Sequence, residues 1–255
     1  MLVNKLALMF YIFLTALLLS SCNSNTQTDI DNSGLNFAVN APVSLGFPIA
    51  NLQLVQGDVV SKYAPPPIGT RYIISKLNPE TGVRDSNFTY KVLSHSSTIG
   101  AHKGWSARWG NKRYLFYGLS GNELGAPDDE HALTTYYSEP RKLLKFPMKP
   151  GDSWSTVWKG YITTIAKSEY FGNGNVSVLK WEDVTVPAGT YKALKLSYKG
   201  ERTFIARGPI AYGNTLKVNE AFNYWYAPSL GLIIKKVALN AEVPFQEQLT
   251  VFETP

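Results

Sequence analysis

The three histidines, His95, His102 and His131, are the side chains best suited to metal binding or acid–base work. His131 ends Asp128-Asp129-Glu130-His131, which would join an imidazole to hard oxygen donors. Hard-cation loops need oxygen ligands at regular spacing with a glycine at the bend, and zinc sites need paired His or Cys. Neither spacing is present, so no metal site is expected. His95 falls in a strand pattern and His102 in a turn. Gly118-Leu119-Ser120-Gly121 misses the nucleophile-elbow pattern by one position and follows a hairpin pattern instead of opening a helix. Glu182-Asp183 and Asp128-Asp129 are the visible carboxylate pairs. Neighbours on a strand point to opposite faces, which argues against Glu182 and Asp183 acting together. With no phosphate-binding glycine loop and no redox motif, no catalytic residue and no cofactor are assigned.

The tryptophans offer a different chemistry. Trp154 and Trp158 stand at i and i+4 on one strand face, with Thr156 between them. Together with Trp225 they are the candidate ligand-binding residues, as platforms for sugar or lipid. The same spacing also suits plain sheet packing, and that reading weighs more.

Cys22 is the only cysteine. Lys5 and the 14-residue apolar run Leu6–Leu19, broken only by Thr15, precede it. This is the layout of a secretory signal. The run falls short of the ~20 residues of a membrane-spanning helix. Leu19-Ser20-Ser21-Cys22 resembles the bacterial lipobox, and that resemblance implies cleavage before Cys22 and acyl chains, such as palmitate, on its thiol. Several acyl chains give lasting attachment where one gives marginal binding. Asn23 stands where the familiar inner-membrane retention signal has Asp, so the resemblance points to the outer membrane, facing the periplasm or cell surface. The membrane is thus the expected partner, and nucleic acid is not expected.

The mature chain, Cys22–Pro255, has 234 residues and a formal charge of +5. It must fold without a disulfide. Lys103, Arg108, Lys112 and Arg113 cluster in sequence, as do Arg141, Lys142, Lys145 and Lys149. Neither group is a dense basic run, and ordinary solvated strand faces account for them better than contact with anionic lipid or polysaccharide.

Residues 1–21 read as the signal and residues 22–36 as a polar, lipidated tether that lacks the apolar content to fold. Residues 37–146 and 147–255 read as two β segments of one continuous domain, divided at Pro147-Met148-Lys149-Pro150-Gly151-Asp152. Phe88, Tyr90 and Val92 alternate with Thr89 and Lys91, the period of a half-buried strand. Pro79-Glu80-Thr81-Gly82 and Val186-Pro187-Ala188-Gly189-Thr190 are turns by composition. Gly110-Asn111 and Asn173-Gly174 read as two-residue hairpin turns, the latter between strands Thr163–Tyr170 and Val176–Trp181. Residues 121–132 read as a loop or short helical turn. Tyr191 and Ala193 share one parity, and Leu194, Leu196 and Tyr198 the other, which predicts a β-bulge near Ala193. Strands are also expected at Leu216–Tyr226, Gly231–Leu239 and Phe245–Phe252.

Three segments, Phe146–Trp154, Val184–Ala193 and Tyr224–Ile233, resemble a loose set of uncharacterised bacterial lipoproteins and secreted β-rich domains. Their shared marks are a P-x-x-x-G-x-x-W start, a V-P-A-G-T-[FY] turn and a Y-W-Y-A-x-x-x-G segment. The resemblance implies a curved antiparallel sheet and supplies no catalytic residue. A more distant similarity, of architecture only, is to periplasmic lipoprotein carriers. The expected fold is all-β, a curved, mostly antiparallel sheet or half-barrel of about 10–14 strands. The expected function is a non-catalytic, membrane-anchored envelope lipoprotein, whose concave aromatic face holds an apolar ligand or a partner protein. Two alternatives stand beside it: an enzyme or binding module for cell-wall or surface glycan, and a structural subunit of an envelope assembly.

Overall fold

A computed structural model describes residues 55–99, 102–109, 112–118, 123–127, 134–162, 168–206, 215–240 and 244–255. Cys22, the tether and His131 lie outside these. The chain is all-β over the described residues. A two-stranded ribbon, β1 (Val55–Gln56) and β2 (Val59–Val60), comes first. A first group of strands follows: β3 (Arg71–Leu77), β4 (Arg84–Ile99), β5 (His102–Trp109), β6 (Lys112–Gly118), β7 (Glu123–Pro127) and β8 (Thr134–Arg141). The second group is β9 (Ser153–Ile162), β10 (Ser168–Val186), β11 (Gly189–Ile205), β12 (Thr215–Ala227), β13 (Leu232–Ala238) and β14 (Gln246–Glu253).

From β3 to β14 each strand pairs antiparallel with the next in sequence, and β14 pairs with β3. The curved antiparallel sheet expected from sequence therefore runs round into a closed barrel. Among the described residues, β6 and β7 are joined at Tyr117↔Glu123. Short connections alternate between two rims, as a meander requires. One rim carries residues 142–152, 187–188 and 228–231.

The N-terminal segment plugs that rim. Val60 and Met148 exchange two backbone hydrogen bonds, of 2.9 and 3.0 Å. The Tyr63 hydroxyl accepts from Trp105 Nε1 at 2.7 Å and donates to the Gly231 carbonyl at 3.2 Å. Its ring lies 5.9 Å from Phe146 and 6.4 Å from Tyr226. Gly231, with φ +68°, backs onto the Ala64 carbonyl so closely that a Cβ there would collide with it.

The inner wall from β9 to β12 is a grid of large and small residues in register. Trp154, Val176, Tyr198 and Phe222 form one row. Thr156, Gly174, Gly200 and Glu220 form the next, and Trp158, Gly172, Arg202 and Val218 the third. The glycines make room for neighbouring rings. A Cβ on Gly172 would lie 2.6 Å from the Trp158 indole, and one on Gly174 would lie 2.5 Å from the Tyr198 ring. Trp158 and Tyr198 are fully buried in this space. Burying a large apolar side chain contributes roughly 1.5–3 kcal/mol.

Several sequence expectations are corrected here. Asn173-Gly174 is not a turn; it lies in the middle of β10, paired on both sides. The glycine there answers a need for space under Tyr198, not for a positive φ. The register shift near the parity change falls on β10, where Leu179 is the extra residue between Val178 and Lys180. β11 runs unbroken beside β12 from Leu194, so no bulge sits at Ala193. Ala193 and Leu194 are both fully buried, because both faces of the wall are covered there. The hairpin tip reaches across to β14, with Ala188 N–H bonded to the Leu249 carbonyl at 3.3 Å. Glu123–Pro127, expected as loop or helical turn, is a strand, and His102 opens β5 instead of lying in a turn. The turns at 79–82 and 187–188 are as expected, with Gly82 at φ +68° and Gly189 at φ +138°. Residues 110–111 lie outside the described residues, though Trp109 and Lys112 pair across them.

Gly174→Ala is expected to lower unfolding free energy by about 1–3 kcal/mol, the range for overpacking a filled core. Gly82→Ala meets open space and carries only its left-handed φ, a cost of about 1 kcal/mol. Urea titrations showing Gly174→Ala to be the milder change would contradict this packing.

Candidate functional site

Alternation along the strands puts the three candidate tryptophans in different places. Trp154 and Trp158 share the inner face of β9, while Trp225 points to the outer face of β12. Trp158 is fully buried, 5.7 Å from Tyr137 and 4.7 Å from Tyr170. Trp225 is only 7% exposed. Its register partners are Lys195 on β11 and Lys235 on β13, whose ammonium groups sit 5.0 and 5.2 Å from its ring. Its indole N–H donates to Glu182 Oε1, and Lys180 Nζ pairs with Glu182 Oε2 at 2.6 Å. Lysine stems thus cover Trp225, leaving little ring for a ligand.

Beneath Trp158 lies a charged group that the motif search misses. Glu220 Oε1 pairs with Arg202 Nη1 at 3.1 Å, and Arg141 Nη2 stands 3.5 Å from Oε2, an ion pair without a hydrogen bond between those two atoms. Arg202 Nη1 also donates to the Tyr170 hydroxyl at 2.7 Å. The Arg141 guanidinium lies 4.5 Å from the Tyr198 ring and 5.5 Å from Trp158. Burial pushes the Tyr170 hydroxyl up to about 12, against the pull of Arg202, so it stays a neutral partner near neutral pH. A signal for this group did exist. Arg202 shares the parity of Tyr198, and Glu220 that of Phe222 and Tyr224, so each is a charge at a core-facing position. Arg141 belongs to the second basic cluster, yet it turns inward while Lys142, Lys145 and Lys149 stay exposed. Of the first cluster, Lys103 and Arg108 are exposed on β5.

Trp154 has a third setting. It is half-buried and lines an open groove of about 420 Å³ at the plugged rim. Val59, Pro147 and Met148 supply apolar lining, and Lys145, Lys149 and Asp152 supply charge. The loop is tied both internally and to its neighbours. Trp154 Nε1 donates to the Lys142 carbonyl at 2.9 Å, and Asp152 Oδ2 accepts the Lys149 N–H at 2.8 Å. Gly151 N–H and the Asp152 carbonyl bond Val178 across on β10. The outer groups are therefore held on a fixed frame. Such a groove can take a small ligand that offers both a flat apolar face and an anion.

The remaining candidates are pinned elsewhere. His95 Nε2 lies 2.6 Å from the Pro66 carbonyl, and His102 Nε2 lies 3.2 Å from that of Ser138. Asp183 is exposed, whereas Glu182 is engaged as above.

Two predictions follow from these contacts. Glu220→Ala strands two guanidiniums against aromatic rings, and removing one partner of a buried ion group costs about 3–5 kcal/mol. Arg202 is partly exposed, so a loss near 3 kcal/mol is expected, read from the urea midpoint. A loss below about 1 kcal/mol would show the group to be screened by water. Glu182 is held below the usual carboxylate range, first by its bond from Lys180 and then by Trp225. A depressed folded value adds stability above the unfolded pKa and loses it as pH falls through the folded one. Wild type should therefore exceed Glu182→Gln in stability at pH 7, with the gap closing as pH falls into the acid range; a gap that widens in acid would refute it.

No family model matches the chain, and no curated protein matches it. Two solved structures align with it. One, described as an exported protein with a YmcC-like fold from Bacteroides fragilis NCTC 9343, shares 15% identity over 76% of this chain and 100% of its own, with a TM-score of 0.47. The other, described as a lipoprotein from Parabacteroides distasonis ATCC 8503, shares 16% identity over 76% of this chain and 99% of its own, with a TM-score of 0.46. At such values the chemistry of this chain must be read from its own residues.

Proposed function

We propose that the chain is an exported lipoprotein of the cell envelope, held on a membrane, the outer one where the cell has two, by acyl chains on Cys22. Its folded part acts as a non-catalytic binding module. The lipobox resemblance behind the apolar run supports the anchor.

The observation that carries the binding reading is the groove around Trp154. The concave face from β9 to β12 is filled by its own rings, so an apolar ligand has little room among them. The rim groove is open, preformed and aromatic. Binding therefore falls to Trp154, while Trp158 packs the interior and Trp225 lies under lysine stems. The three charged residues of the groove lining, Lys145, Lys149 and Asp152, favour the glycan-binding alternative over a purely apolar ligand.

The anchor is tested by cell fractionation. Wild type should sediment with membranes, and its N-terminal peptide should carry acyl chains on Cys22. Cys22→Ala should be released in soluble form after export. A variant that still sediments with washed membranes would sink the lipid-anchor reading.

A further inference from the structure

We infer that the Trp154 groove is the binding site for an acidic sugar, one that carries a carboxylate or phosphate on a pyranose ring. This deepens the binding-module reading and rests on it.

Three features of the groove converge on that chemistry. The first is charge. Lys145 and Lys149 are exposed, and neither is held in an ion pair with another described residue. Asp152, the acid in the groove, already spends one oxygen on the Lys149 backbone N–H. The site thus offers two ammonium donors to an anion against one partly satisfied carboxylate.

The second feature is the aromatic surface. Trp154 is the large ring in the lining, and its indole N–H is tied to the Lys142 carbonyl. The bond fixes the ring, so little rotamer freedom is lost when a ligand packs against it. A pyranose presents a patch of C–H groups on one face and hydroxyls round its edge. The ring would meet the patch; Ser153 and Asp152 can meet hydroxyls.

The third is size and balance. About 420 Å³ suits one or two sugar units, near the small end of ligand sites. An acyl chain would need a continuous apolar channel. Here the apolar lining is Val59, Pro147, Met148 and the indole, and Met148 is itself fully buried.

The backbone underneath supports a preformed site. Met148 is bonded to Val60 on the ribbon, and residues 151 and 152 are bonded to Val178 on β10. The lysines therefore project from a loop fastened on two sides, which limits the ordering cost of binding.

The test uses the mature chain with Cys22→Ala, so that lipid does not mask binding. Calorimetric titration would compare oligogalacturonate, oligoglucuronate and a mannose-phosphate oligomer with neutral galactose and mannose oligomers of equal length. Saturable binding of at least one acidic probe is expected, at least about tenfold tighter than its neutral counterpart and weakened by salt. Lys145→Gln with Lys149→Gln should lower that affinity by about tenfold or more without shifting the melting temperature. Trp154→Phe should lower it several-fold; this substitution keeps a ring, so folding survives for the comparison. No binding to any of the acidic probes would overturn the inference. So would equal binding of acidic and neutral probes, or indifference to both the lysine and the Trp154 changes. Tighter binding to phosphatidylglycerol vesicles than to every acidic sugar would replace the sugar with a lipid surface. Failure of the sugar arm leaves the Cys22 fractionation result untouched, so the two readings fall separately.

Discussion

A sheet that closes on itself must fill its own interior, and every inward position on β9 to β12 answers to that constraint. Trp158 and Tyr198 each meet other rings on some sides, and Gly172, Gly174 and Gly200 stand opposite or next to them where no further side chain fits. A single added methyl group on these glycines would meet a ring or a carbonyl at less than van der Waals distance. Native packing is thus set by alternation of large and small across strands as much as by polar and apolar along them. The same filling leaves little room among the rings of this wall. Among the described residues, an open groove lies at the rim, where loop and ribbon meet.

That rule also explains which parts of the fold could be read from sequence. Phe88, Tyr90 and Val92 report a strand because alternation along one chain is a local property. Pro187-Ala188-Gly189 reports a turn because proline and glycine act on their own backbone. Asn173-Gly174 carries the same kind of signal and means something else. Its glycine serves a ring on the next strand, which cross-strand register alone reveals. The parity change at Ala193–Leu194 fails in a related way. Alternation assumes one wet face, and here both faces are dry, so an extra residue is not needed on that strand. The extra residue is Leu179 on β10, at 47% exposure, where no pattern on β11 could announce it.

The candidate site divides along the same line. Trp154, Trp158 and Trp225 stand out by type, but type alone does not say which side of a wall a ring faces. One position of offset separates Trp225 from the interior and places it among lysines instead. Arg202 and Glu220 were legible in principle, as charges at core parity, because burying them is costly unless they meet. Here Glu220 stands between two guanidiniums, and rings pack against both arginines. The arrangement ties β8, β11 and β12 together in the interior. Charge is tolerated there because each group has a partner in reach.

The rim groove reverses that logic. Lys145 and Lys149 face water, where an unpaired ammonium costs nothing and keeps its capacity to bind. Their backbone is nonetheless fixed by Met148 to the ribbon and by residues 151–152 to β10. Buried charges here stand within ion-pair distance of one another and serve cohesion, although Glu220 Oε2 and Arg141 Nη2 make no hydrogen bond; Lys145 and Lys149 are solvated on a fastened loop, the arrangement the proposed binding calls for. Trp154 belongs to both worlds. One position along the inner row it begins the packed grid with Val176 and Tyr198, and at its outer edge it lines the groove. A residue so placed couples the fit of the core to the shape of the rim, because its indole N–H is tied to Lys142 while its strand neighbours belong to the packed grid.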